Sequence, residues 1–270
     1  MKTLSRVYTA LILIFMYAPI IVLIVFSFNS SNSTSVFEGF SLKWYLELFK
    51  DSETLKSLYN TLILAVLSSL IATVVGTAAA VGISYMRKGP IRSIIMTLTN
   101  IPMMNADIVT GVSLMLLFVF VGGILGISGV LGFGTLLIAH ITFNLPYVIL
   151  SVLPKLKQLD PHLTEAAQDL GCTPLKAFFK VALPSIMPGV ISGLMMAFTL
   201  SIDDFVISYF ASGPEFQTLP LRIYSMTKRR VTPDMYALST LMFVAILILL
   251  ILMNVVKDDK KTTKKGGREK

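Results

Sequence analysis

The sequence predicts an all-α, polytopic membrane protein with six transmembrane helices, and three observations predict it. Of its 270 residues, 54% are hydrophobic and only 14% are charged, whereas about a quarter of a soluble domain is charged. The apolar residues gather into six long runs largely free of Lys and Arg, each near or above the roughly twenty residues that cross about 30 Å of hydrocarbon. The formal net charge of +8 comes from basic residues between the runs, which is the pattern of a membrane protein and not of a nucleic-acid binder.

The first run, 8–28, follows Lys2 and Arg6 as a signal peptide would. It is longer than an h-region, however, and ends in Phe26-Ser27-Phe28-Asn29 with no small-residue cleavage pattern, so it reads as a retained helix. An amphipathic turn with Trp44, Tyr45 and Phe49 follows, favoured as an interfacial anchor over a ligand site. The second run, 58–86, carries small residues from Gly76 to Gly82 that let another backbone approach. The third, 93–120, holds Pro102 and is closed by Gly122-x-x-x-Gly126; the fourth, 131–153, holds Pro146, and both prolines predict kinks. The fifth, 186–211, opens with Gly189-x-x-x-Gly193, a further close-packing signal, and the sixth is 234–256. Residues 257–270 read as a disordered basic tail. Positive residues concentrate in the two termini, in 86–92 and in 154–185, which places both termini in the cytoplasm.

Segment 155–185 is too regular for a bare connection. Asp160-Pro161 is a helix start signal, Leu163, Ala166, Ala167 and Leu170 share one face, and Gly171 can close the turn. Thr173-Pro174 repeats the start signal and leads through Phe178 and Phe179 into the fifth run. On pattern alone this hairpin either docks on a partner or lies on headgroups.

Three acids fall inside the runs: Asp107, Asp203 and Asp204. Each costs about 2.5 kcal/mol or more at a helix centre, so each is a functional candidate. On a continuous helix Ser201, Asp204, Ser208 and Ser212 form one polar stripe, with Asp203 turned about 100° away. Asn100, Met103, Met104, Asp107 and Gly111 would share a face of the third helix, and Phe205 and Tyr209 offer π-faces to an ammonium group. Carboxylates with no fixed cation nearby suit a transported cation; the alternative for each is a bond to a neighbouring helix or the cap of a local break. His140, near Thr142 and Asn144, favours a packing hydrogen bond over proton relay, and His162 belongs to the first turn after Pro161. Arg222, Lys228, Arg229 and Arg230 pair with an acidic partner or are solvated.

Other chemistry is poorly supplied. A single cysteine, Cys172, and two histidines leave no disulfide framework or metal cluster, and no cofactor is expected. No G-x-x-x-x-G-K-[ST] phosphate loop occurs, so ATP hydrolysis by that route would have to come from a partner.

Glu165-Ala166-Ala167, Gly171 and Val181-x-Leu183-Pro184 resemble the EAA signature of ABC importer permeases, with Val181 where that consensus has isoleucine. The resemblance extends over nearly the whole chain. Phe26 to Ser30, Leu42 to Tyr45, Ala139 to Pro146, Phe198 to Asp204 and Leu219 to Met226 resemble its polyamine branch. The resemblance implies a type I importer fold in the bacterial inner membrane, with Glu165, Ala166, Ala167, Gly171, Leu183 and Pro184 on a coupling-helix hairpin that meets an ATPase. It implies a second, similar permease, two ATPase copies and an external polyamine-binding protein as partners. A pathway for spermidine or putrescine would run past Asp107, Asp203, Asp204, Ser201, Ser208 and Tyr209. The alternatives are another small or cationic solute, a proton-coupled secondary transporter, or a membrane assembly factor without a pathway.

Overall fold

A computed structural model describes residues 2–31, 36–229 and 233–265. The described chain is helical, with one isolated antiparallel bridge between Asn29 and Phe40. Its helices are α1 (Lys2–Phe26), α2 (Lys43–Leu48), α3 (Ser52–Tyr85), α4 (Pro90–Met104), α5 (Asp107–Leu125), α6 (Phe133–Gln158), α7 (Pro161–Asp169), α8 (Pro174–Ala177), α9 (Leu183–Asp203), α10 (Val206–Ala211), α11 (Leu219–Arg229) and α12 (Pro233–Lys265). A π-helical turn, Phe178–Ala182, joins α8 to α9. Among the described residues five segments are long and apolar enough to cross a membrane: Arg6–Phe26, Ser52–Tyr85, Asp107–Leu125, Phe133–Gln158 and Pro174–Asp203. Pro233–Ile248 is apolar but shorter. The protein is a multi-pass membrane protein.

The chain forms two compact units, Tyr59–Pro220 and Met1–Leu58 with Leu221–Lys270. In the unit Tyr59–Pro220, α6 is the hub. Ala72 and Ala80 of α3, Val148, Val152 and Leu153 of α6, and Ile186 and Ala197 of α9 make one buried cluster; Leu64, Leu136, Ala139, Phe143, Ile207 and Ala211 make another. Lipid is as apolar as these side chains, so the hydrophobic effect gives little and van der Waals contact decides the packing. Small residues therefore sit at the closest approaches. A Cβ on Gly189 would lie 2.7 Å from Lys155 Cγ, and one on Gly76 would lie 2.8 Å from Val148. The pair Gly189 and Gly193 thus seats α9 on α6, as the spacing predicts.

In the other unit, Trp44 is buried and its indole N–H donates to the Asn29 carbonyl at 2.7 Å, while Ser27 and Tyr45 share a 2.8 Å hydrogen bond. Trp44 is therefore a packing residue and not a free interfacial anchor; Phe49 stays exposed. Arg222 is neither solvated nor held for a partner, because it bonds Asp51 and Glu53 of its own unit. Burial raises the Asp51 carboxyl, but the Thr54 hydroxyl, the Glu53 N–H and Arg222 together hold it below its ordinary value.

The expected helices differ from the observed ones in four places. The third span is broken: Asn105 and Ala106 are extended, so α4 ends two residues beyond Pro102 and α5 starts afresh at Asp107. The fifth breaks at Asp204, which is extended with ψ 122°, leaving α9 and the short α10. Gly122 and Gly126 do not pack two helices. Gly126 sits at φ +67°, a conformation that costs a side-chain-bearing residue about 1–2 kcal/mol, and Ile127 N–H bonds the Gly122 carbonyl at 2.9 Å. They form a helix stop, in which the left-handed glycine lets the chain turn back to satisfy an end carbonyl. At the other terminus, α12 continues to Lys265 through much of the expected tail; residues 266–270 lie outside the described residues.

Candidate functional site

The break after α9 is built around Asp204. Its carboxylate accepts the backbone N–H groups of Ile207 and Ser208 at 3.2 and 2.7 Å, satisfying donors that open α10. Its Oδ2 lies 3.4 Å from Nε2 of His140, which is fully buried on α6 and also lies 3.3 Å from the Ser208 hydroxyl. One turn along α6, Asn144 donates to Ser201 at 2.8 Å, and Ser201 contacts Ser68 of α3 at 3.0 Å. All these groups are buried. The packing role favoured for His140 is the one the geometry holds, and Asp204 supplies the local cap that stood as its alternative role.

Asp203 differs from its neighbour. It is exposed and has no hydrogen bond or ion pair among the described residues. Asp107 is likewise exposed, in the first turn of α5, where the helix dipole favours an anion. α5 and α10 pack closely: a Cβ on Gly111 would lie 3.0 Å from Phe210. Each exposed acid lies beside a break, Asp107 at the start of α5 and Asp203 at the end of α9, and α10, which follows Asp203 across its break, is the helix that α5 contacts. Tyr209 is 49% exposed, and its ring centroid is 5.7 Å from that of Phe205.

The stripes read on continuous helices are divided by the breaks. Asn100, Met103 and Met104 precede the third-span break and Asp107 and Gly111 follow it; Ser201 precedes the second and Ser208 follows it. Ser201 and Ser208 are buried contacts of the polar network and Ser212 is buried beside them in sequence. Two contributors escaped the sequence reading. Ser68 is one of three serines inside the second apolar run, which is a weak signal, and Tyr147 of α6 lies within electrostatic reach of Asp107 with no sequence cue linking them.

The second candidate region is the helical hairpin. Asp160 caps α7 by accepting the His162 N–H at 3.0 Å, Gly171 turns the chain at φ +87°, and the Thr173 side chain caps α8. Glu165, Ala166, Gly171 and Pro184 are exposed, and Ala167 and Leu183 are half-buried. His162 Nδ1 lies 3.0 Å from Glu165 on the surface. Leu170, Leu175 and Phe179 are 87%, 72% and 61% exposed. Leu175 and Phe179 help to line a cavity of about 800 Å3 between α3, α7, α8 and α9, with Val81, Phe178 and Leu183. The hairpin therefore presents both a small-residue surface and unburied apolar groups. Among the described residues no His, Cys, Asp and Glu cluster could hold a metal.

The chain is similar to curated proteins along most of its length. It is 40% identical over 237 residues to the putrescine transport system permease protein PotI of Escherichia coli K12, covering 87% of this chain and 84% of that one. It is 41% identical over 236 residues to the spermidine/putrescine transport system permease protein PotC of the same strain, covering 87% and 86%. Among solved structures, a bacterial ABC transporter involved in the import of the acidic polysaccharide alginate matches with a TM-score of 0.73 at 16% identity, covering 96% of this chain and 95% of that one. At that identity the likeness speaks for the fold. Residues 72–258 match the family described as binding-protein-dependent transport system inner membrane component, and with well over half its length accounted for in this way, the chain belongs to that family.

Proposed function

We propose that this protein is a permease subunit of an ATP-driven importer and forms part of a path for polyamines delivered by an external binding protein. The observation that carries this reading is the pair of exposed, uncompensated carboxylates, Asp107 and Asp203, beside the breaks that open the two packed helices α5 and α10. A linear cation with spaced ammonium groups can move between such acids, while Tyr209 and Phe205 offer π-faces along the way. Binding there is modest, because a pathway must release what it binds. Asp204, Ser201 and Ser208 line the same region from within and hold the bend that turns Asp203 outward. The polyamine relatives PotI and PotC support the substrate class.

In this reading α12 completes six crossings, both termini are cytoplasmic, and the α7–α8 hairpin couples to an ATPase through Glu165, Ala166, Ala167, Gly171, Leu183 and Pro184. Because the hairpin runs through a π-turn directly into α9, a rigid displacement of α7 is passed to the helix that ends at Asp203. A second, similar permease and two ATPase copies complete the assembly. Reconstitution with these partners tests it: uptake of labelled putrescine or spermidine should require ATP and fall when Asp107 and Asp203 are both changed to Asn. Undiminished uptake by that variant would remove the carboxylate path. A second reading, a proton-coupled carrier, draws on the buried His140–Asp204 pair. Uptake on a proton gradient without an ATPase subunit would favour it instead.

A further inference from the structure

A second cavity, of about 610 Å3, shares no lining residue with either region above; it is walled by Lys88, Gly89, Arg92, Ser93, Met96 and Lys157. Its chemistry is the reverse of the acidic path. Three cations line it and no acid does, so it would repel a polyamine. Among the described residues none of the three is in an ion pair. Arg92 donates to the Met86 carbonyl at 3.2 Å, which ties the guanidinium to the α3–α4 turn while leaving it other donors.

Position narrows the ligand. α3 and α6 each end here after a run long and apolar enough to cross the membrane, so the cavity lies at the edge of the hydrocarbon. Tyr85, the last residue of α3, is 73% exposed, as an aromatic at the headgroup level would be. The face of α4 turned away from the cavity exposes Ile91, Ile94, Leu98 and Ile101, a surface suited to acyl chains. Partly buried Ile95 and Met96 of α4 pack on the same cluster as Leu156 of α6, which keeps Arg92 and Lys157 on facing elements. We propose that this cavity binds the phosphate headgroup of an anionic phospholipid, and that the bound lipid is a fixed part of the permease. Basic pockets between helices at a membrane surface have the charge that such headgroups require.

Native mass spectrometry of the full-length chain, purified in mild detergent with the subunits that accompany it, tests this through separate titrations with phosphatidylglycerol, phosphatidylcholine and inorganic phosphate. Phosphatidylglycerol should stay bound and the other two should not. Lys88 and Lys157 are exposed, so Lys88→Gln with Lys157→Gln should leave the fold intact while weakening phosphatidylglycerol about fivefold per charge removed. The Lys→Arg pair should retain it. Equal binding of phosphatidylcholine, displacement of the lipid by inorganic phosphate, or unchanged phosphatidylglycerol binding in the Gln variant would each overturn the proposal. So would loss of an accompanying subunit from the Gln variant with the lipid count unchanged, which would make the cavity a protein contact.

Discussion

Asp204 at the end of α9 and Glu165 on α7 each lie beside a histidine, and the closer pair is the weaker one. His162 and Glu165 are 3.0 Å apart with side chains 81% and 67% exposed; His140 and Asp204 are 3.4 Å apart at 1% and 8%. Water screens the first pair and leaves both groups free for other partners, so it holds little of the fold. The second has no water to fall back on, and removing Asp204 strands His140 together with two backbone donors. The contrast teaches that burial and not separation decides which carboxylate is committed to the fold. It also divides the adjacent acids, since Asp204 is enclosed and Asp203 is not.

The largest effect expected is therefore on stability. Asp204→Ala should cost about 3 kcal/mol or more, because the N–H groups of Ile207 and Ser208 and the His140 ring all lose their acceptor. Thermal or denaturant unfolding of the purified chain in detergent measures it. Unfolding indistinguishable from wild type would erase the distinction between the two pairs.

Asp203→Asn sharpens the same distinction from the other side. It should leave stability within about 0.5 kcal/mol, since nothing among the described residues is bonded to that carboxylate, and lower polyamine uptake about tenfold through the lost charge. Unfolding and reconstituted uptake measured on one preparation separate the two outcomes. A marked loss of stability with uptake intact would place Asp203 in the fold after all.

These two neighbours show how far the sequence could be read. The long spans were legible because hydrocarbon thickness fixes their length, and the hairpin because Asp160-Pro161, Gly171 and Thr173-Pro174 each have a local conformational meaning. The acids were legible as exceptions to an apolar run. Their roles were not, because helical spacing ranks residues only while the helix is continuous, and the break at Asp204 has no Gly or Pro to announce it. Once Asp204 leaves helical geometry, the face it would share with Ser208 becomes a capping contact. Trp44 escaped for a similar reason: an aromatic near a span end looks interfacial until the loop before it folds Asn29 onto its indole. Gly122 and Gly126 fit a packing motif and a helix stop equally well, and only the φ of Gly126 separates them.

A smaller effect is expected at Gly171. Its φ of +87° strains any L-residue by about 1–2 kcal/mol, and open space around it means that no clash adds to this cost. Gly171→Val should thus shift the unfolding midpoint modestly while abolishing copurification of an ATPase subunit, because the strain reorients α7 against α8. Copurification at the wild-type level would show that the hairpin's turn is not what a partner reads.

The smallest effect, and the most direct test of screening, is the titration of the exposed pair. The hydrogen bond to Glu165, followed by the charges of Asp160 and Glu165, raises His162 above the ordinary histidine value of 6.5. The contribution of a group raised in this way is fully present below its unfolded value and is lost as pH rises through the folded one. The chain has only two histidines, so ring-labelled protein gives two signals, of which the exposed ring is that of His162. His162 should titrate above 6.5 and return toward it in Glu165→Gln, while the unfolding midpoint of that variant stays unchanged at every pH in the range. A midpoint that moved with the His162 titration would mean that the surface pair helps hold the hairpin closed. In that case α7 would share the commitment to the fold seen at Asp204, and its exposed face would be less free to meet a partner.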